Sequence, residues 1–543
     1  MRSNGKDYVV RRIAGAIIAM VLLCGWVLCA SGQPGKEGDL VVNTKSGQLR
    51  GVARAGGGAE FLGIPYAEPP VGELRWRATV AVHPWKEVRD ASTFGAPCAQ
   101  PILGDWNRRA AEYAKEDCLF LNVISAQWPV KTKLPVMFWI HGGANEGGTA
   151  SSPLYKDGTL VQHGILLVTA NYRLGVFGFF AHPELTRESP NKASGNYGLM
   201  DLIEALRWVH ENIAEFGGDP ENVTVFGQSA GAQDASFLMT SPLAKGLFQK
   251  VIAESGAALN PNMRSLAASE QAGEKLAEAW KAPANGGAVK FLRQLSAGEL
   301  LQGMPKQSPE EDRLAEPNVD GWVLPRLPAA DFAAGEQTAV PMIIGSTTRE
   351  FGWDASTDEL RKTIERIAGS QAPKALSLYG LADGGQGTND PLYGPAGNQW
   401  IADLVFRCPA VTQAKWNSAT KQPTYEYQFE HAIPGQEAEG AVHSSDLPYV
   451  FGYYPKSGNI AGKFSDVDFK LAELIETYWT NFAKRGNPNG EGLPNWPEYD
   501  GSQAFIEFTQ DGKALAQTSG LRKPQCDLQR ELLMRRISGN EKH

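Results

Sequence analysis

The 543-residue sequence has little of what most often marks a metal or redox site: six cysteines and eight histidines, widely scattered. No His, Cys and carboxylate grouping has the close spacing of metal ligands, so neither a metal nor an organic cofactor is expected. Basic residues are not in excess, with 52 Lys and Arg against 60 Asp and Glu and a formal net charge of −8. A mildly acidic chain without a basic block is a poor match for nucleic acid. There is no internal repeat, which excludes solenoids and propellers. Beyond one stretch near the N-terminus, no segment is apolar enough to span a bilayer. The balance of 42% hydrophobic and 21% charged residues excludes a disordered or fibrous chain.

The N-terminus carries Arg2, Lys6, Arg11 and Arg12, then an apolar run from Ile13 to Ala30, then Ser31-Gly32-Gln33-Pro34-Gly35. A positive segment, an apolar run and small residues are the parts of a secretory signal. A run of this length could also just span a bilayer, but the small residues and the Gly/Pro segment favour cleavage near 30–32. Leu precedes both Cys24 and Cys29, where lipidation wants a small residue. Residues 1–32 therefore read as a signal peptide, and residues 33–543 as one secreted or periplasmic domain with no membrane span left. Cys98, Cys118, Cys408 and Cys526 remain in it. An even number in an exported chain suggests two disulfides, with three possible connectivities. Nothing in the sequence sets the oligomeric state.

Apolar runs alternate with helical patterns from about residue 120 onward. Strand-like segments are 134–140, 165–171, 222–226, 250–253, 341–344 and 424–429. Between 199 and 216, apolar residues recur on one helical face. Strand–helix alternation implies an α/β fold: a central, mostly parallel twisted sheet with helices on both faces. Residues 260–320 and 355–400 are rich in Ala, Gly and charge, and read as large helical and loop insertions.

Gly227-Gln228-Ser229-Ala230-Gly231 follows one of these strands and precedes a helical stretch. This is the G-x-S-x-G turn in the context that makes it a nucleophile elbow. His141-Gly142-Gly143-Ala144 directly follows an earlier strand, where backbone N–H groups can stabilise an oxyanion; Ala230 N–H would be a further donor. A serine needs a base, and the chain order for this architecture is Ser, acid, His. Only His431, His443 and His543 lie after Ser229. His431 ends a strand-like run and His543 is terminal, whereas His443 lies in a loop, Gly440-Ala-Val-His-Ser-Ser-Asp446, and is the favoured base. The acid should follow a strand between them. Both Glu350 and Asp354 stand beyond the 341–344 strand, and spacing alone does not separate them.

Taken together, these motifs resemble the type-B carboxylesterases, the family that includes cholinesterases. The resemblance covers nearly all of residues 40–530. Glu116-Asp-Cys-Leu-Phe-Leu-Asn122 is similar to one family signature, and the run from Phe216 to Gly231 to its serine signature. Phe61-Leu-Gly-Ile-Pro-Tyr-Ala67, Asn171-Tyr-Arg-Leu-Gly175 and Leu447-Pro-Tyr-Val-Phe-Gly452 also fit. The implied fold is the α/β-hydrolase, and the implied activity is hydrolysis of a small-molecule carboxylic ester through an acyl-enzyme. The resemblance selects Glu350, five residues after Gly345, as the acid. It supports His443, with Asp446 three positions on, and places oxyanion donors at Gly143, Ala144 and Ala230. It assigns Ser255 as a support for the acid, and pairs Cys98 with Cys118 and Cys408 with Cys526. Gln228 stands where cholinesterases carry a glutamate, which disfavours a cationic choline ester. Trp106, Phe351 and Trp353 are expected to wall a substrate gorge. Arg108 and Arg109 would suit an acidic ester, or are solvated surface residues. Two other readings are a cholinesterase-like adhesion protein, opposed by the intact Ser229, Glu350 and His443, and a lipase for longer chains, which would want a large apolar lid.

Overall fold

A central sheet of eleven strands organises the computed structural model, which describes residues 40–305 and 315–539. The signal assigned to residues 1–32, with Cys24 and Cys29, lies outside the described residues, as does His543. The strands are β1 (Val52–Ala53), β2 (Ala59–Pro65), β3 (Phe120–Ser125), β4 (Leu134–Ile140), β5 (Leu166–Ala170) and β6 (Gly218–Gln228). They continue with β7 (Lys250–Glu254), β8 (Met342–Thr347), β9 (Thr424–Phe429), β10 (Phe505–Phe508) and β11 (Ala514–Gln517). Their spatial order is β11-β10-β9-β8-β7-β6-β4-β5-β3-β2-β1. The seven strands from β10 to β5 run parallel, and antiparallel strands finish both edges.

Each inner strand is buried on both faces, so its sequence reads as a continuous apolar run. Successive side chains point to opposite faces. In β4, Val136, Phe138 and Ile140 enter one core, and Met137 and Trp139 the other. In β8, Met342 and Ile344 face the first core and Ile343 the second. The helix expected over 199–216 is α2 (Tyr197–Asn212), continued by a 3₁₀ turn that stops at Gly217 with φ 84°.

The six strand expectations from the sequence all fall on sheet strands, while β1, β2, β3, β10 and β11 were not among them. Among their described residues, the insertions at 260–320 and 355–400 are helices and loops apart from a two-stranded pair, Asn389–Asp390 with Gly394–Pro395. Cys98 and Cys118 form a disulfide closing the loop that carries α1 (Asp105–Glu112). A second disulfide, Cys408–Cys526, joins the helix Cys408–Ala419 to the C-terminal helix Lys523–Ile537. No helix among the described residues is long and apolar enough to cross a membrane.

Candidate active site

Strand β6 ends at Gln228, and α3 (Ala230–Thr240) begins at Ala230, so Ser229 alone makes the turn between them. It does so at φ 59° and ψ −125°, a backbone conformation that costs an L-residue on the order of 1–3 kcal/mol and is held by its surroundings. Its N–H donates to the carbonyl of Glu254 on the neighbouring strand (2.8 Å). The flanking glycines are there for space. A Cβ on Gly231 would lie 2.1 Å from the carbonyl oxygen of Ile140, and one on Gly227 would lie 2.6 Å from the backbone of Gly231.

Glu350 lies three residues beyond the end of β8 and is buried. Its Oε1 accepts the N–H of Thr347 (2.9 Å), and its Oε2 lies 2.5 Å from Nδ1 of His443. The two loops are also tied by the backbone, since His443 N–H donates to the carbonyl of Glu350 (2.8 Å). Asp354, the rival acid, is exposed on the surface. The other described histidine candidate, His431, is engaged elsewhere: its Nε2 lies 2.9 Å from Asp468 Oδ1.

Ser229, His443, Gly143 and Ala144 line one cavity of about 460 Å³. That size suits a small-molecule ligand. Ala230 stands at the first position of α3, where a backbone N–H has no intrahelical acceptor. The loop expected to carry the oxyanion donors is held in a left-handed conformation, with φ 115° at Gly143, 61° at Ala144 and 59° at Asn145. His141, at its start, is neutral at pH 7 because burial pulls its pKa down to about 4.

Trp106 and Phe351 line the cavity, as expected for gorge walls. Trp353 does not. It packs against Gly397 and the helical core around Trp400, because two residues along this loop turn the side chain away from His443. Arg108 pairs with Asp105 in solvent, and Arg109 is exposed; neither lines the cavity. Among the described residues, the lining has no Lys, Arg, Asp or Glu. Phe406, absent from the sequence reading, stacks near His443 at 5.0 Å between ring centroids, with Phe351 at 4.5 Å. Ser255 is buried, and its hydroxyl has no protein hydrogen-bond partner.

Behind the pair lies a group of buried acids. Asp446 accepts from the Tyr427 hydroxyl (3.2 Å); burial, followed by the Glu350 charge, pushes its pKa up to about 6. Glu254 accepts from the Trp479 indole (2.8 Å), and burial holds it above the usual carboxylate range. Away from the cavity, His163 meets Glu473 and Glu476 closely enough to share a cation. These groups already satisfy one another, with His163 Nε2 3.3 Å from Glu476 and the Thr159 hydroxyl donating to the same carboxylate.

Residues 38–529 match the model of the carboxylesterase family. The chain is 34% identical to fumonisin B1 esterase of Sphingopyxis macrogoltabida, an alignment covering 92% of each chain. It is 36% identical to para-nitrobenzyl esterase of Bacillus subtilis (strain 168), over 84% of this chain and 92% of that one. The solved structure of a thermophilic PNB esterase superposes with a TM-score of 0.78 at 32% identity, covering 90% of this chain and all of the other. The chain thus belongs to the carboxylesterase family: it is a serine hydrolase of carboxylic esters built on the α/β-hydrolase fold.

Proposed function

We propose that the protein hydrolyses uncharged carboxylic esters by two-step acyl transfer, with Ser229 as nucleophile, His443 as base and Glu350 as the acid behind it. The observation that carries this reading is the Glu350–His443 hydrogen bond, set in the same cavity as the Ser229 elbow. His443 takes the serine proton as Ser229 Oγ attacks the ester carbonyl. Glu350 accepts a hydrogen bond from Nδ1–H, which keeps the lone pair on Nε2 to act as base, and stabilises the imidazolium that forms. The N–H groups of Gly143, Ala144 and Ala230 stabilise the oxyanion, each worth about 3–4 kcal/mol in a dry site. His443 then protonates the leaving alcohol, and water, activated by the same imidazole, releases the acid.

The names of the relatives point to different esters and do not choose among substrates. Support for neutral esters comes from the cavity: it offers the aromatic walls Trp106 and Phe351 and, among the described residues, no charged lining residue, which favours neutral esters over choline esters and acidic ones. Two disulfides support an exported domain, residues 33–543, released from the signal at 1–32.

The test is a panel of p-nitrophenyl esters of rising acyl length, set beside a choline ester and a succinate monoester, with wild type and Ser229→Ala. Turnover of the neutral esters that vanishes in a folded Ser229→Ala variant is expected. Turnover on none of them overturns the proposal and favours a binding protein.

A further inference from the structure

Asp234 is a buried carboxyl that the chemistry above does not use. It lies on α3, five residues beyond Ser229, with no exposed surface. Its Oδ1 accepts from Nδ2 of Asn145 (3.0 Å), and its Oδ2 is buried without a protein partner. Asn145 directly follows Ala144 in the oxyanion loop. The Tyr172 hydroxyl lies 2.9 Å from the carbonyl oxygen of His141 and 3.0 Å from Asn145 Oδ1, and shares its proton between them. The Tyr172 ring stacks on His141 with centroids 4.6 Å apart. The Asn145 carbonyl accepts the N–H of Gly175 (2.6 Å). Both ends of the loop, at His141 and at Asn145, are therefore fastened by one buried network.

The loop needs such fastening. Ala144 and Asn145 both carry positive φ, and L-residues stay there only when neighbours hold them. The oxyanion donors sit on this loop, whereas the nucleophile sits at the head of α3. The sheet fixes the start of the loop, through Ile140 paired beside Gly227, but its far end at Asn145 needs a link to the helix. Asp234 through Asn145 is a direct side-chain link of that kind.

We infer that Asp234 is a positioning residue that sets the Gly143 and Ala144 donors relative to Ser229, acting through Asn145. The inference rests on the proposed roles of Ser229 and the oxyanion loop. Burial pushes the Asp234 carboxyl up to about 7, against the hydrogen bond from Asn145 and the nearby Tyr172 hydroxyl, so the fold keeps an acid where burial disfavours one. A geometric error of a fraction of an ångström at an oxyanion hole weakens the hydrogen bonds made in the transition state and leaves ground-state binding largely intact.

The experiment compares wild type, Asp234→Ala, Asp234→Asn, Asn145→Gly and Ser229→Ala. It measures kcat and KM on p-nitrophenyl acetate, the affinity of an aryl trifluoromethyl ketone that forms a tetrahedral adduct, and thermal unfolding. Asp234→Ala should lose about 10- to 100-fold in kcat, with KM within about threefold and the ketone weakened in parallel. Asp234→Asn keeps an acceptor for Asn145 and should retain most of kcat. Asn145→Gly tolerates φ 59° yet lacks the side chain, so it should show the same kcat loss; it also decides the matter if Asp234→Ala fails to fold. Folded Asp234→Ala or Asn145→Gly with near-normal kcat and ketone affinity, beside an inactive Ser229→Ala, overturns the positioning role alone. Activity surviving in Ser229→Ala overturns both this role and the mechanism on which it rests.

Discussion

The side-chain amide nitrogen of Gln228 lies 3.1 Å from Nε2 of His443. Because Nδ1 faces the Glu350 carboxylate, it carries the ring proton, and Nε2 presents its lone pair to the amide. In the free enzyme, the residue before Ser229 thus caps the nitrogen that receives the serine proton in the proposed mechanism. Gln228 is buried, and the other end of its amide is directed toward Gly142, where a Cβ would come within 3.0 Å of Oε1.

Replacing Gln228 with Glu puts a carboxylate beside that nitrogen. An adjacent negative charge favours the imidazolium, which cannot act as a base. The acidic limb of the kcat/KM profile should move to higher pH, and activity at mildly acidic pH should fall relative to wild type. A pH–rate series on one neutral ester measures it; an unmoved acidic limb would show that the amide does not contact the base in solution.

Glu350→Gln removes the charge that holds the His443 tautomer. It should lower kcat by on the order of 10⁴-fold with a smaller change in KM. Asp354→Asn, at an exposed carboxylate without a role in the cavity, should stay within about twofold. Steady-state kinetics of the two variants decides between them, and the reverse ranking would remove Glu350 from the mechanism.

The disulfides close loops of very different length, 20 and 118 residues. In the chain-entropy model they contribute about 3 and about 5 kcal/mol. Cys408→Ser with Cys526→Ser should therefore lower the urea midpoint more than Cys98→Ser with Cys118→Ser. Equal losses in denaturant melts would show that strain or residual structure dominates over loop length.

Asp234 also carries a stability signature. Its folded pKa, about 7, lies above the ordinary Asp value of 3.8. Between those values the folded state holds the proton more tightly, so this group favours folding at low pH and loses that contribution as pH rises from about 4 to about 7. Asp234→Asn does not titrate, so the fall in Tm over that window should be shallower than in wild type. Parallel Tm–pH curves for the two proteins would contradict the raised value.

The elbow at Ser229 was legible in the sequence because everything that shapes it is local: a strand, two glycines that leave room for a sharp turn, and a helix. His443 followed from chain order. The acid did not follow from spacing, because Glu350 and Asp354 differ only in which of them reaches His443, a contact across 93 residues. Asp234 and Asn145 lie 89 residues apart, and an Asp within a helix reads as a solvated group until its partner is seen. Phe406 was missed for the same reason. Trp353 shows the opposite error: nearness to Phe351 in the chain suggested a shared wall, yet the loop sends it into a different packing layer. Strands β1, β10 and β11 were hidden because strands of two to four residues lack the long apolar run of a strand covered on both faces.

The uncharged lining bears on the end of the catalytic cycle as much as its start. Hydrolysis of a neutral ester, as proposed, makes a carboxylate within the cavity, and no lysine or arginine among the described lining residues is there to hold the new anion. Water solvates that ion far better than Trp106 and Phe351 do. The reaction thus ejects its own product: the newly made charge weakens the fit that held the ester, and accumulating acid competes poorly with fresh substrate.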